Sequence, residues 1–597
     1  MIKNDKTQKF NKLKQIWLKR RTVGLLSFLF QRSLSKWKQK RNYQKWIRRH
    51  RLDEKDTLSA HEQIKQWKLR PKFSVITPVY NVDAVWLEKA IESVINQIYA
   101  DWELCIVDDA STKPRIRSIL TSYSKLDPRI KVVFRTENGH ISAASNSALE
   151  LATGDYIALL DHDDELTIDA LFENAKLINQ HPEADFIYSD EDKIDIKGKR
   201  SDPFFKPDWS PEYFYSCMYT CHLGVYRTSI IREIGGFRSE YNGSQDYDLV
   251  LRVVEKTKNI YHIPKILYHW RTIPSSAASG SEAKPWAYLA GQKALQAMVE
   301  RSCYPGIVEQ TNNSGLYRIR RDVIGQPLVS IIISRSVKSS NAGQVSLGNL
   351  ENCIRSIYQL STYRNFEIIL VDAYDIAEAI SNKITAFDVQ LVRCAEPCNV
   401  SMQINQGAVQ AKGQFLLLLN DNTEVVAPDW IESMLELAQQ SEIGAVGAKL
   451  LSPNDRIQHV GIVLLDGTPY HTFYGFDSTH PGYHCSNIVN RNYLAVTAAC
   501  LMIRQEVFHE LGGLDEDFSL NYHDVDLCLK AHQAGYRNVV TPYAQLLYYE
   551  SASREKGSRP QEWHQLNHKW KDYFKQLGTD PYYNPNLSLL SPNFEIV

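Results

Sequence analysis

The 597-residue sequence predicts an α/β protein of two tandem domains, each a mostly parallel sheet wrapped by helices, behind a basic helical arm. Three observations predict it: apolar runs that end in acidic or polar residues, stretches of helical period between those runs, and an internal repeat.

Phe73-Ser74-Val75-Ile76-Thr77-Pro78-Val79 reads as a buried strand broken at a proline turn. Leu87, Ala90, Ile91, Val94 and Ile95 then recur at helical spacing. Leu104 to Val107 is a second strand delivering Asp108-Asp109-Ala110-Ser111, and Lys131 to Phe134 a third. Asn146 to Ala152 lies on a helix that stops at Gly154. Tyr156 to Leu160 is a fourth apolar run, and it delivers Asp161-His162-Asp163-Asp164. Acidic or polar groups thus recur at three strand ends, where open α/β sheets bind ligands. Two carboxylates one residue apart suit a hard divalent cation, and such a cation carries a diphosphate. An isolated D-x-D is more often a polar turn; the surrounding strand ends favour one crevice.

The repeat sets the domain count. Ser330 to Ser334 echoes the first strand, and Phe366 to Asp372 the second. Gly413 to Glu424 repeats Gly154 to Glu165 without a gap. Asn405 repeats Asn146, Gly512-Gly513 repeats Gly235-Gly236, and Asp524 repeats Asp246. The offset grows from 405 − 146 = 259 to 524 − 246 = 278, so the second copy carries insertions. The expected organisation is an arm over 1–70, a first domain over 71–304, a linker over 305–326 and a second domain over 327–597.

Zero net charge hides an asymmetry. Residues 1–51 hold 17 of the 69 Lys and Arg but only one acid, Asp5, so the arm carries +16 and the remainder −16. Trp17, Phe28, Phe30, Trp37 and Trp46 are interleaved with those cations, which suits an interfacial helix on an anionic membrane. Val23 to Phe30 is too short to span a bilayer and lacks a signal-peptide cleavage pattern. A solvated basic helix packed against the acidic body is the alternative. Nucleic acid is excluded as a partner because no recognition motif accompanies the charge. The ten cysteines form no C-x-x-C pair, and Cys217/Cys221 and Cys394/Cys398 lack partners for a zinc site. Reduced thiols and a cytoplasmic body, peripheral on the inner membrane face, are expected.

The strand-end motifs resemble glycosyltransferase family 2, inverting GT-A-fold enzymes that use nucleotide-sugar donors. Ser74 to Asn81, Val107 to Ser111, Asn146, Asp161/Asp163, Gly235-Gly236-Phe237, Gly243 to Leu249 and Leu267 to Arg271 carry the resemblance in order and spacing. The fold class so implied is α/β with two GT-A-like domains of the bacterial surface-polysaccharide type. The resemblance implies transfer of a sugar from a nucleotide-sugar donor to a cell-surface glycan or lipid-linked acceptor. It implies Mn²⁺ or Mg²⁺ on Asp163, with Asp161 reaching the metal or the ribose, and His269 as a further ligand. Thr77, Pro78, Tyr80, Asp109 and Asn146 would contact the donor, and Asp246 would be the base, preceded by Gln245 in place of the usual Glu. Plainer readings stand beside these: His269 satisfied by a strand-end partner, Asp246 and Asp248 capping a helix, Asp190-Glu191-Asp192 a solvated turn in place of an acidic cluster near the acceptor side, and Trp209 a core residue in place of a sugar platform.

In the second copy Asn420, Asp421 and Asn422 stand where the first has Asp161, His162 and Asp163. Asp109 corresponds to Ala373 and His269 most simply to Tyr548, while Asp524 keeps the base position. An amide is a weaker ligand for a hard cation, so the second domain is expected to be impaired or metal-independent. Competing functions are a sugar-nucleotide pyrophosphorylase, which would need a Gly-rich phosphate loop after the first strand, a membrane-bound glycan-binding scaffold, and a glycoside hydrolase.

Overall fold

The computed structural model describes residues 38–273, 285–335, 343–372, 384, 386–395, 398–549 and 560–597. The first sheet contains β1 (Phe73–Val79), β2 (Trp102–Asp108), β3 (Ile130–Phe134), β4 (Tyr156–Leu159), β5 (Glu165–Leu166), β6 (Phe186–Ile194), β7 (Arg200–Phe204), β8 (Gly224–Arg227) and β9 (Ile260–Arg271). Its order is β3-β2-β1-β4-β8-β6-β9-β5, with β7 beside β6. Strands β1 to β4 are parallel, and β1 and β2 are apolar runs buried on both faces, as parallel strands require. Strand β8 runs antiparallel to both β4 and β6, so its amino end lies beside the carboxyl end of β4.

The second sheet repeats this order strand for strand: Val389–Arg393, Phe366–Asp372, Val329–Ser334, Phe415–Asn420, Cys500–Arg504, Ile443–Ser452, Arg537–Tyr548 and Thr423–Val425. The repeat read in the sequence is thus a repeat of topology. Residues 305–326 contain a hairpin of β10 (Gly306–Gln310) and β11 (Tyr317–Arg321). Arg318 on that hairpin reaches Ser433 and Glu436 of the second domain.

Three expectations need correction. Residues 38–49 form a helix whose Tyr43 and Trp46 are buried; Trp46 packs edge-on against Phe205 and donates to Asn586 Oδ1 at 3.2 Å. One apolar face of this part of the arm therefore belongs to the protein core, not to lipid. Trp17, Phe28, Phe30 and Trp37 lie outside the described residues. Cys394 and Cys398 are joined in a disulfide, so not all ten thiols are free. Asp190, Glu191 and Asp192 are buried on β6, not in a solvated turn. Among the described residues no helix is long and apolar enough to cross a membrane.

Candidate active site

The carboxyl ends of β1, β2 and β4 open on one side of the first sheet, and the sequence places its polar residues there. Thr77 Oγ1 is buried with no hydrogen-bond partner among the described residues, a vacancy suited to a ligand group. The Pro78 carbonyl meets His162 Nδ1 at 2.9 Å, and Tyr80 is exposed. Asp109 is buried at the end of β2; it accepts Gly139 N–H at 3.0 Å and pairs with Arg135 Nε at 2.8 Å.

The loop after β4 separates its acids by task. Asp164 is buried and accepts the Tyr268 hydroxyl at 2.6 Å and the Arg271 N–H at 2.7 Å, which pins the loop to β9. Asp161 and Asp163 are only partly buried. Burial holds the Asp163 carboxyl above its ordinary range; the Asp161 charge adds to that and His162 opposes it. Two crowded oxygen donors of this kind are what a divalent cation relieves, so the donor set fits Mn²⁺ or Mg²⁺. Among the described residues no three His, Cys, Asp or Glu side chains form a preformed cage. His269 stands opposite Asp192 in the sheet. Its Nδ1 lies 2.5 Å from Asp192 Oδ1, and the other Asp192 oxygen takes the Tyr43 hydroxyl and Arg200 Nε. The Nδ1 contact agrees with the plainer reading of His269, a strand-end histidine satisfied by the protein, and a carboxylate on Nδ1 is equally how a metal-ligating histidine is held.

No motif in the chain marks His222. Glu191 accepts both its N–H and its ring Nδ1, the latter at 3.2 Å, and its ring stacks on Tyr268. Burial works against a charge on His222. Glu191 outweighs that, helped by Asp161 and Asp164, and pushes the imidazole up to about 9. Burial likewise disfavours the Glu191 charge, but Lys206 and His222 bring that carboxyl down to about 2. A cationic imidazole is thus fixed among the carboxylates. His222 was hidden because only the antiparallel placement of β8 brings it to the end of β4.

Asp246 opens the helix Gln245–Val254, where its carboxylate accepts the Tyr247 N–H at 2.9 Å. Burial raises its carboxyl, and the His222 charge lowers it in part. Asp248 is instead consumed by Arg238 and Arg252. Asn146 spends both ends of its amide on the Phe237 main chain, each at 2.8 Å. Asn405 makes the same clasp on Leu514, at 2.9 Å each, in the half that has lost the metal carboxylates. The clasp therefore holds the glycine turn, where Gly236 has φ +68° and a Cβ would fall 2.6 Å from Asn146 Oδ1. The donor contact expected of Asn146 gives way to this structural role. Asn146→Ala should cost about 1–3 kcal/mol in urea unfolding, the penalty of unmade buried hydrogen bonds. Trp209 is half-buried and packs against Phe214 and Tyr219.

In the second domain the losses extend further than the acidic motif. Leu419 pairs with Cys500, which puts Ala499 at the position of His222. Leu450 and Leu451 stand at the positions of Glu191 and Asp192. Leu547 faces Glu424 and Leu451 as His269 faces Glu165 and Asp192. Leu547, not Tyr548, is thus the counterpart of His269; a one-residue slip in a strand would have put the side chain on the other face. Ala373, the counterpart of Asp109, lies outside the described residues. Asp524 remains, but it accepts the Ala498 N–H at 3.1 Å, and His523 and that bond hold its carboxyl below the usual range despite burial.

The family described as Glycosyl transferase family 2 matches residues 74–235 and again 345–512. The chain is 43% identical over 550 residues to the uncharacterized protein y4gI of Sinorhizobium fredii, an overlap of 89% of this chain and 59% of that protein. It is 36% identical to the O-antigen biosynthesis protein RfbC of Myxococcus xanthus, over 89% of this chain and 41% of the relative. The chain thus spans about half the length of these two relatives. The putative teichuronic acid biosynthesis glycosyltransferase TuaG of Bacillus subtilis is 32% identical, over 40% of this chain and 94% of its own. A crystal structure of S. aureus TarS 1-349 overlaps 39% of this chain and 66% of its own at 20% identity and a TM-score of 0.32, too low to carry an argument.

Proposed function

We propose, because the chain belongs to glycosyltransferase family 2, that its first domain transfers a sugar with inversion from a nucleotide-sugar donor to a growing surface glycan. The relatives named for O-antigen and teichuronic acid biosynthesis support that acceptor class. The observation that carries the reading is the meeting of Asp161, Asp163, His222 and Asp246 in one electrostatic cluster at the strand ends. Asp161 and Asp163 would hold Mn²⁺ or Mg²⁺, which when bound neutralises the charge growing on the diphosphate. Asp246 takes the proton of the acceptor hydroxyl. The acceptor oxygen bonds to the anomeric carbon as the carbon–phosphate-oxygen bond breaks on the opposite face. Thr77, Pro78, Tyr80 and Asp109 would contact the nucleotide. The second domain, without the acids and without the His222–Glu191 pair, serves the acceptor rather than the donor.

A donor screen with the purified protein and glycan acceptors, with and without Mn²⁺, tests the proposal. Release of a nucleoside diphosphate from one donor class, stimulated by Mn²⁺, is the expected result; no release from any donor sinks it.

Residues 1–37 would keep the protein on the inner membrane face, each cation near an anionic surface contributing about 1 kcal/mol. Because Tyr43 and Trp46 belong to the core, the informative truncation stops at residue 37. Vesicle flotation should show the truncated protein leaving anionic vesicles while it still transfers to a water-soluble acceptor. Equal flotation with the full chain would assign the arm no anchoring role.

A further inference from the structure

The repeat offset is 259 residues at Glu191 and Leu450 but 277 at His222 and Ala499, so 277 − 259 = 18 extra residues of the second domain lie between Ile443–Ser452 and Cys500–Arg504. This insertion region does not stay over its own sheet. Part of it, residues 478–490, crosses to the first domain. Tyr483 accepts the Phe205 N–H at 2.9 Å, the Tyr213 hydroxyl donates to the His484 carbonyl at 2.6 Å, and Val489 is buried in the first domain's core.

We propose that this segment forms the acceptor-side wall of the first domain's active site and that His484 contacts the acceptor carbohydrate. The inference rests on the glycosyltransferase reading above. Three observations support it. His484 is an exposed residue, yet its ring lies flat on Phe204, with centroids 3.6 Å apart and an interplanar angle of 12°. Phe204 pairs in the sheet with Glu191, the residue that holds His222 in the carboxylate cluster, so His484 is stacked beside that cluster. The wall continues through Trp270, which lies 5.4 Å from His222 and carries Lys193 over its face at 5.1 Å. Partly exposed ring faces beside a few polar groups are the chemistry that binds a sugar ring.

The segment is also built rather than draped. The Lys449 ammonium, on a largely buried side chain, donates to the Ser478 carbonyl at 2.8 Å and to the Asn487 carbonyl at 3.3 Å, clamping both ends. Lys449 stands where the first domain has Asp190, so the clamp is specific to the second copy. His484 and Cys485 both adopt left-handed backbone, φ +45° and +68°, a conformation that non-glycine residues keep only when their surroundings enforce it.

Steady-state kinetics of full-length His484→Ala against wild type test this, with acceptor and donor varied separately. The acceptor KM should rise about tenfold, the value of one lost ring contact, while the donor KM moves by less than about twofold. His484→Phe, which keeps the stack on Phe204, should recover part of the loss and guards against a folding defect in the alanine variant. An unchanged acceptor KM in both variants, or a parallel rise in donor KM, overturns the inference while leaving the transferase reading intact. If wild type releases no nucleoside diphosphate from any donor, the transferase reading falls and this inference falls with it.

Discussion

Asp246→Asn should leave donor binding in place and lower transfer by about two to four orders of magnitude, the usual worth of a positioned general base. The side chain is nearly isosteric, and its amide can still meet the Tyr247 N–H, so the helix start should survive. What disappears is the proton acceptor. The pH profile gives a second reading. Burial raises the Asp246 carboxyl, so the base is charged and active only above that raised value. The acid limb of kcat/KM should therefore lie at higher pH than an ordinary carboxylate would give. His222 opposes the shift with its positive charge, so His222→Gln should move the same limb further up in pH. Asp524 predicts a contrast. Its carboxylate is held low and bonded to the Ala498 N–H, which makes it a weak base, and Asp524→Asn should change turnover little. Near-normal transfer by folded Asp246→Asn, or a collapse on Asp524→Asn, would reassign the base.

The tandem sheets were legible because buried parallel strands write themselves as unbroken apolar runs, such as Leu104 to Val107 and Leu416 to Leu419. Acids at the ends of such runs, Asp109, Asp161 and Asp163, could be placed in one crevice from the chain alone. Partnerships across the antiparallel half of the sheet could not. His222 carries no local signal, since its role depends on β8 returning beside β4. Asp190, Glu191 and Asp192 look like a solvated turn because their partners come from far away in sequence: Tyr43, Arg200, Lys206, His222, His262, His269 and Asn584. Trp46 among cations resembles a lipid anchor until Phe205 and Asn586 are seen to cover it. Asn146 shows the opposite failure. Its place in a family-like motif suggested a ligand contact, whereas its persistence as Asn405 in the depleted half follows from the turn it clasps.

Asp163→Asn separates metal from base. With a neutral amide opposite Asp161, donor affinity in Mn²⁺ should fall by at least about tenfold, the scale of losing even an outer partner of a metal site. Removal of metal by chelation should then make little further difference. The second domain makes the full chain its own control, since Asn420 and Asn422 already stand where Asp161 and Asp163 do. If the first domain alone binds metal, calorimetric Mn²⁺ titration of folded Asp163→Asn should lose the whole metal-linked heat, not half of it. A persistent tight site would mean that the second domain recruits a cation through other groups. The wild-type protein should show one further property. Because burial and Asp161 raise the Asp163 carboxyl, protons compete with the cation, and Mn²⁺ affinity should weaken as pH falls through that raised range. Asp163→Asn should abolish this pH dependence together with the binding. Asp246→Asn should leave both in place, because its carboxylate serves the acceptor side of the same cleft.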